Sequence, residues 1–244
     1  MQYLIMRALI NAISDYKKIW KIITILSFPA ALGILLLHFI AKPTYLAIGG
    51  VFLRTSDLLR MNFLILLSVF IGVIFSLSLI SISVTSISLY VKEKRTTDKH
   101  WRKKMMKKIT RDILPITFFF LFLFIFNFIL QSTSLIISHL VIINLISLFI
   151  YLITLFVPFA IAIDNYSIDT ALSKSYKLTM KKPLRPILWL ISVFILVSLL
   201  HVMSIYFIGY SIGSWISYIL SSFIVLPFSL VLGSHLYMDK YPLS

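Results

Sequence analysis

Long apolar runs separated by short polar or basic segments organise the chain. Six of them, at about 21–41, 61–91, 113–133, 140–163, 186–208 and 214–238, are long enough to cross a bilayer as helices. A helix rises 1.5 Å per residue, so about 20 residues cross a hydrocarbon core about 30 Å thick. The second run holds 31 residues. As a helix it would measure about 46 Å, so roughly its last ten residues are expected to tilt or to project beyond the hydrocarbon. Within that run, SLSLISISVTSISL (76–89) alternates like a strand. An open strand cannot cross lipid with its backbone unpaired, so the segment is read as helix, each hydroxyl bonding back to a carbonyl of its own helix. Pro29 and Gly33 interrupt the first span, Pro115 starts the third, and Pro158 and Pro227 lie late in the fourth and sixth. A proline in a span frees a carbonyl and bends the axis, here read as fixed curvature rather than a hinge.

Ahead of the first span, residues 3–16 follow a different rhythm. Arg7, Asn11, Ser14, Asp15 and Lys18 share one narrow face at 100° per residue, and Ile5, Leu9, Ile10, Ala12, Ile13 and Tyr16 cover the rest. This predicts an amphipathic helix lying in the membrane interface. Three basic segments then read alike just before spans one, three and five: Lys17, Lys18 and Lys21; Lys107, Lys108 and Arg111; Lys181, Lys182 and Arg185. Each is KK-x-x-[KR] and each follows a stretch that can form an amphipathic helix. In the second copy the stripe is Trp101, Met105 and Ile109. In the third, Ile168, Ala171, Leu172, Ser175 and Thr179 oppose Asp169, Ser173, Lys174 and Lys177. Either the chain is three units of interfacial helix, basic anchor and hairpin, or every inward-starting span simply attracts a lysine pair.

Composition agrees with the pattern. The chain is 60% hydrophobic and 13% charged, about half the charge of a soluble domain, and its mean hydropathy is +1.01. The fold class is therefore all-α, a polytopic integral membrane protein of six transmembrane helices with short amphipathic helices on the cytoplasmic side. The whole of 1–244 is read as a single transmembrane domain. Residues 92–112 alone hold ten of the 23 Lys and Arg. By side, the N-terminal segment, 92–112, 164–185 and the tail hold 20 of these bases against 3 in the opposite loops. Basic loops stay inside, so both termini are expected in the cytoplasm and the protein in the cell membrane. The net charge of +15 points to anionic lipid head groups rather than nucleic acid, because the bases sit in short blocks flanking apolar spans. The first apolar run starts only after Lys21 and no small-x-small cleavage site follows it, so the first span is expected to stay attached.

The chemistry-bearing residues are few. The chain has no cysteine, which excludes disulfides, thiolate metal sites and cysteine nucleophiles. No Asp, Glu, Lys or Arg falls at the middle of a predicted span, which disfavours an ion- or proton-coupled transporter. His38, His139 and His201 lie toward the outer ends and His235 at an inner end. Without a carboxylate nearby or a repeated spacing they read as interfacial side chains rather than metal ligands. No phosphate loop, nucleophile elbow or zinc motif is present, so the chain is read as a non-enzyme with no cofactor and no metal.

Asp164, closing the fourth span, and ALSKSYKL at 171–178 carry the one familiar pattern. They resemble the A-L-x-[KR]-S-[WY]-[KR]-L signature of a broad group of prokaryotic six-span membrane proteins. That group includes the membrane domain attached to some glycerophosphoryl diester phosphodiesterases. The resemblance singles out Asp164, Ala171, Leu172, Lys174, Ser175 and Tyr176, and it implies an N-terminal interfacial helix and six spans. The catalytic part of those phosphodiesterases has no counterpart here, and the basic segment 92–112 is longer than the group's layout implies. Ser175 falls on the apolar face of its helix, where a small hydroxyl residue implies close approach to another helix. Asp164 would then need a donor, a backbone N–H of the following helix or a nearby Lys or Arg. The leading functional reading is a non-catalytic scaffold or partner of membrane or lipid-handling proteins. The alternative is a permease subunit of an ATP-driven exporter, with 92–112 or 166–180 touching the ATPase. The short 209–213 turn counts against it, since it leaves no room for outer re-entrant helices.

Overall fold

The computed structural model describes residues 2–44, 63–96, 101–137 and 140–238. Among them the chain is almost entirely helical, with no strand. Helix α1 runs Gln2–Thr44, α2 Phe63–Thr96 and α3 Trp101–Ile137. The fourth apolar run divides into α4, Leu140–Thr154, and α5, Val157–Asp164. Helix α6, Ile168–Lys181, leads to α7, Leu184–Ile208, and α8, Tyr210–Leu220. A π-helical turn, Ser221–Val225, joins α8 to α9, Leu226–Met238. Most of the outer connection expected at 42–60, all of it from residue 45, lies outside the described residues, as does the tail from 239.

Among the described residues, six stretches are long and apolar enough to cross a membrane: Leu9–Leu37, Leu67–Lys94, Met106–Leu130, Val141–Asp164, Leu184–Ile208 and Ile212–Met238. They match the six runs of the sequence in number and order. The alternating serine segment is indeed helical, and Ser76, Ser78, Ser81, Thr85 and Ser86 each bond the carbonyl four residues back. Other contacts go across. Ser83 accepts from the Ala30 N–H next to Pro29, Ser81 from Thr117, and Ser88 from Ser234. The expected turn at 209–213 is tighter than the sequence implies, because Gly209 alone separates α7 from α8, at φ 92°.

The three-copy pattern is not repeated in the helices. Helix α1 breaks its geometry at Ile19 (φ −125°, ψ 18°), two residues before the start expected for the first span. Helix α6 stands apart from the span that follows it. The second copy corrects the expectation: Trp101–Ile137 is one helix, with Pro115 in its interior rather than in its first turn. Lys, Arg and Met are strong helix formers. Pro115 gives up only the bond to the carbonyl of Arg111, an exposed residue where water can replace it.

Burial is concentrated at the end of the bundle where the basic residues gather. Residues 156–163 and 227–238 are buried throughout, because α5 and α9 have no polar face and are wrapped by α1, α2, α3, α6 and α7. Small residues admit the neighbours. A Cβ on Gly33 would sit 2.6 Å from the carbonyl oxygen of Ser76, so α1 and α2 run backbone against backbone.

Candidate functional site

Ser175, one of the residues singled out in the sequence, meets the fourth span where that span breaks. Pro158 stands in the first turn of α5 and has no N–H for the carbonyl of Thr154, so α4 and α5 do not join. In an unbroken helix, Leu152 and Ile153 carbonyls would accept from the N–H groups of Phe156 and Val157. Here α6 supplies the partners. Ser175 Oγ donates to the Ile153 carbonyl and accepts from Phe156 N–H at 3.2 Å. Thr179 Oγ1 donates to the Leu152 carbonyl at 3.3 Å. Unpaired backbone groups are costly away from water, so two hydroxyls one turn apart splint the gap.

That arrangement fixes the orientation of α6. Ala171, Ser175 and Thr179 are buried against the bundle, with Leu172 partly covered. Lys174 and Tyr176 point outward with Lys177 and Met180. Lys174 Nζ lies 5.9 Å from the ring centre of Tyr166, over its face.

Asp164 ends α5, and Asn165 follows in the left-handed region at φ 59°, closing the helix with an N–H bond to the Ile161 carbonyl. The Asp164 carboxylate accepts from the Tyr237 hydroxyl on α9, a partner that the sequence reading did not name. The last carbonyls of α5 collect cations: Lys92 Nζ lies 2.7 Å from the Ile163 oxygen and Lys108 Nζ 3.4 Å from that of Ala162. Arg111 donates to the side chain of Asn165 and, through Nε at 2.7 Å, to buried Asp112. Cations at a helix C-terminus meet both the unsatisfied carbonyls and the negative end of the dipole.

The basic anchors therefore divide. Lys17, Lys18, Lys21, Lys107 and Lys181 are exposed and Lys182 partly so. Lys108 and Arg111 are used within the protein, although Arg111 stays half open to solvent. Arg185 departs from the head-group expectation, since it is 3% exposed and its Nη1 donates to the Leu236 carbonyl of α9 at 3.2 Å. A guanidinium presents five donors and is more weakly hydrated than an ammonium, which suits it to a buried carbonyl.

A second polar contact joins the two ends of the chain. Lys94 Nζ at the end of α2 lies 2.6 Å from Asp15 Oδ1 in α1, and Nε2 of buried His235 in α9 lies 3.2 Å from Asp15 Oδ2. Asp15 reads from sequence as part of a polar helix face and His235 as an interfacial side chain; their contact is not legible there, because the two lie far apart along the chain and carry no motif. Among the described residues no three His, Asp or Glu side chains come together as a metal-binding group. His139 lies outside the described residues, and the side chain of His38 is not among those described.

No protein-family model matches the chain, and neither the curated proteins nor the solved structures include a significant match. The likeness to the six-span group therefore rests on the residues at 164–178 themselves.

Proposed function

We propose that the chain is a non-catalytic multi-pass protein of the cell membrane that acts as a scaffold or partner for membrane or lipid-handling proteins. Its termini and basic end lie in the cytoplasm, where the exposed lysines meet anionic head groups. The observation that carries this reading is how the polar side chains at the basic end are used. Ser175, Thr179, Asp164, Lys92 and Arg185 all hold helix to helix. They build a rigid platform whose outer surface is α6, presenting Lys174, Tyr176, Lys177 and Met180.

One feature favours a second reading, the permease subunit of an ATP-driven exporter. Helix α6 is bonded straight to the break in the fourth span, so a push from an ATPase on Tyr176 would be felt at Phe156.

A photo-crosslinking residue at Tyr176 in whole cells tests both. A discrete protein adduct is expected for the scaffold, and an ATPase in that adduct would select the exporter. Labelling of lipid alone would defeat both. A reporter fused at Ser244 should be active on the cytoplasmic side, and activity outside would overturn the orientation.

A further inference from the structure

Helices α7 and α8–α9 run antiparallel and touch at regular steps. At the far end a Cβ on Gly213 would sit 2.5 Å from the Ser204 carbonyl oxygen, so the two backbones are in contact. One turn on, His201 Nδ1 lies 3.3 Å from Ser217 Oγ. At the basic end the Trp189 indole N–H donates to the Ser229 carbonyl at 2.8 Å. Between the last two contacts the helices do not close. Val193 and Val197, short side chains, line the gap together with the π-helical turn that carries Ser221 and Val225. The π-turn has a local cause: the Leu226 N–H reaches back to the Ser221 carbonyl just before Pro227, which has no N–H to continue the ladder. Ile34 of α1 forms the back wall, tied by a 3.0 Å bond from the Tyr218 hydroxyl to its carbonyl. The result is a cavity of about 640 Å³. From residue 189 to residue 201 its length is about 18 Å at the helical rise.

We infer that this cavity is a binding site for one hydrocarbon chain of a membrane lipid, with the lipid's polar end beside His201 and Ser214. Both walls belong to stretches apolar enough to cross the membrane. The lining is predominantly apolar, which does not hold water, and an empty gap would forfeit the dispersion contacts of every wall atom. Hydrocarbon is the material present at that depth. The size lies within the range of built ligand sites, about 300–1,000 Å³. The shape is long, and contacts at both ends limit it to a defined length, unlike the open surface of α7 where lipid exchanges freely. The polar groups have a direction as well. His201, an exposed side chain, and Ser214 line the far end of the cavity, and Trp189 lines the other end. A chain entering from the far side would leave its polar group at His201 and run toward Trp189. The site is the same whether the platform at the basic end serves a scaffold or an exporter.

The test uses the full chain, reconstituted in phosphatidylethanolamine–phosphatidylglycerol vesicles, then released in mild detergent and weighed by native mass spectrometry. One retained lipid per chain is expected, and its mass distinguishes a phospholipid from a free fatty acid. The double variant Val193→Phe/Val197→Phe, which fills the gap, should lower occupancy at least tenfold. Val202→Phe, on the open face of the same helix, should leave it unchanged. Equal retention in the two variants, no retained lipid in the unaltered protein, or a detergent adduct alone would overturn the site. Should the double variant fail to fold, a phospholipid bearing a diazirine in its acyl chain decides the matter on the unaltered protein. Labelling at Val193, Val197 and Val225 should exceed that at Phe194 and Val202 about tenfold, and uniform labelling overturns the proposal.

Discussion

The fourth and fifth spans are equally rich in apolar residues, yet their fates differ. Half of the most apolar stretch of the fourth is buried, against 6% of the fifth. In lipid there is no hydrophobic gain in hiding a leucine from a leucine-like solvent, so apolarity cannot sort the two. Size and unmet backbone groups do. Helix α5 offers Ala160 and Ala162 where neighbours press in, and its broken start requires the hydroxyls of α6. Helix α7 is unbroken and carries bulky side chains such as Phe194 and Ile195 on an exposed face.

The comparison breaks first at Ser175. Ser175→Leu would overpack the join and strand Phe156 N–H and the Ile153 carbonyl, a loss of roughly 3–5 kcal/mol from the two effects together. Ser173→Leu, on the exposed side of α6, should cost under about 0.5 kcal/mol. Folded yield and melting temperature in detergent separate them, and equal losses would remove the splint from the account. Next is Gly213→Ala, which pushes against the Ser204 backbone and should destabilise by roughly 2 kcal/mol. That loss should stay local, so amide exchange ought to quicken in 184–220 while 156–163 remains protected. Tyr237→Phe removes one hydrogen bond to a carboxylate that is only partly buried, and a loss of about 1 kcal/mol is expected in the same melting assay. Smallest of all, Phe194→Ala on the open face of α7 should change stability by less than about 0.5 kcal/mol. A larger drop would mean that α7 is packed against something other than lipid.

Much of this contrast was legible in the residues. Six runs of the right length and freedom from charge fix the number of spans, since only a closed hydrogen-bond pattern survives in lipid. Ser175 also announced itself, as a small hydroxyl residue on an apolar face. Its partner did not. Pro158 reads as a bend from sequence alone, and nothing local says that the freed carbonyls wait for residues some twenty positions later. Arg185 shows the opposite error. A base at the start of an inward span reads as an anchor, and only the position of the Leu236 carbonyl reveals a buried role. Continuity through 101–137 was hidden for a similar reason, because Pro115 marks a helix start as readily as a tolerated interior position.

The single glycine joining α7 to α8 has a consequence for how the protein is made. With no loop beyond Gly209, and no Lys, Arg, Asp or Glu from Pro186 to Met238, the insertion machinery has no charge to carry through the hydrocarbon for this part of the chain. The two helices can enter from one side as a closed hairpin, already paired at Gly213 and Ser204. On the opposite surface this hairpin leaves no soluble handle for an antibody or a protease.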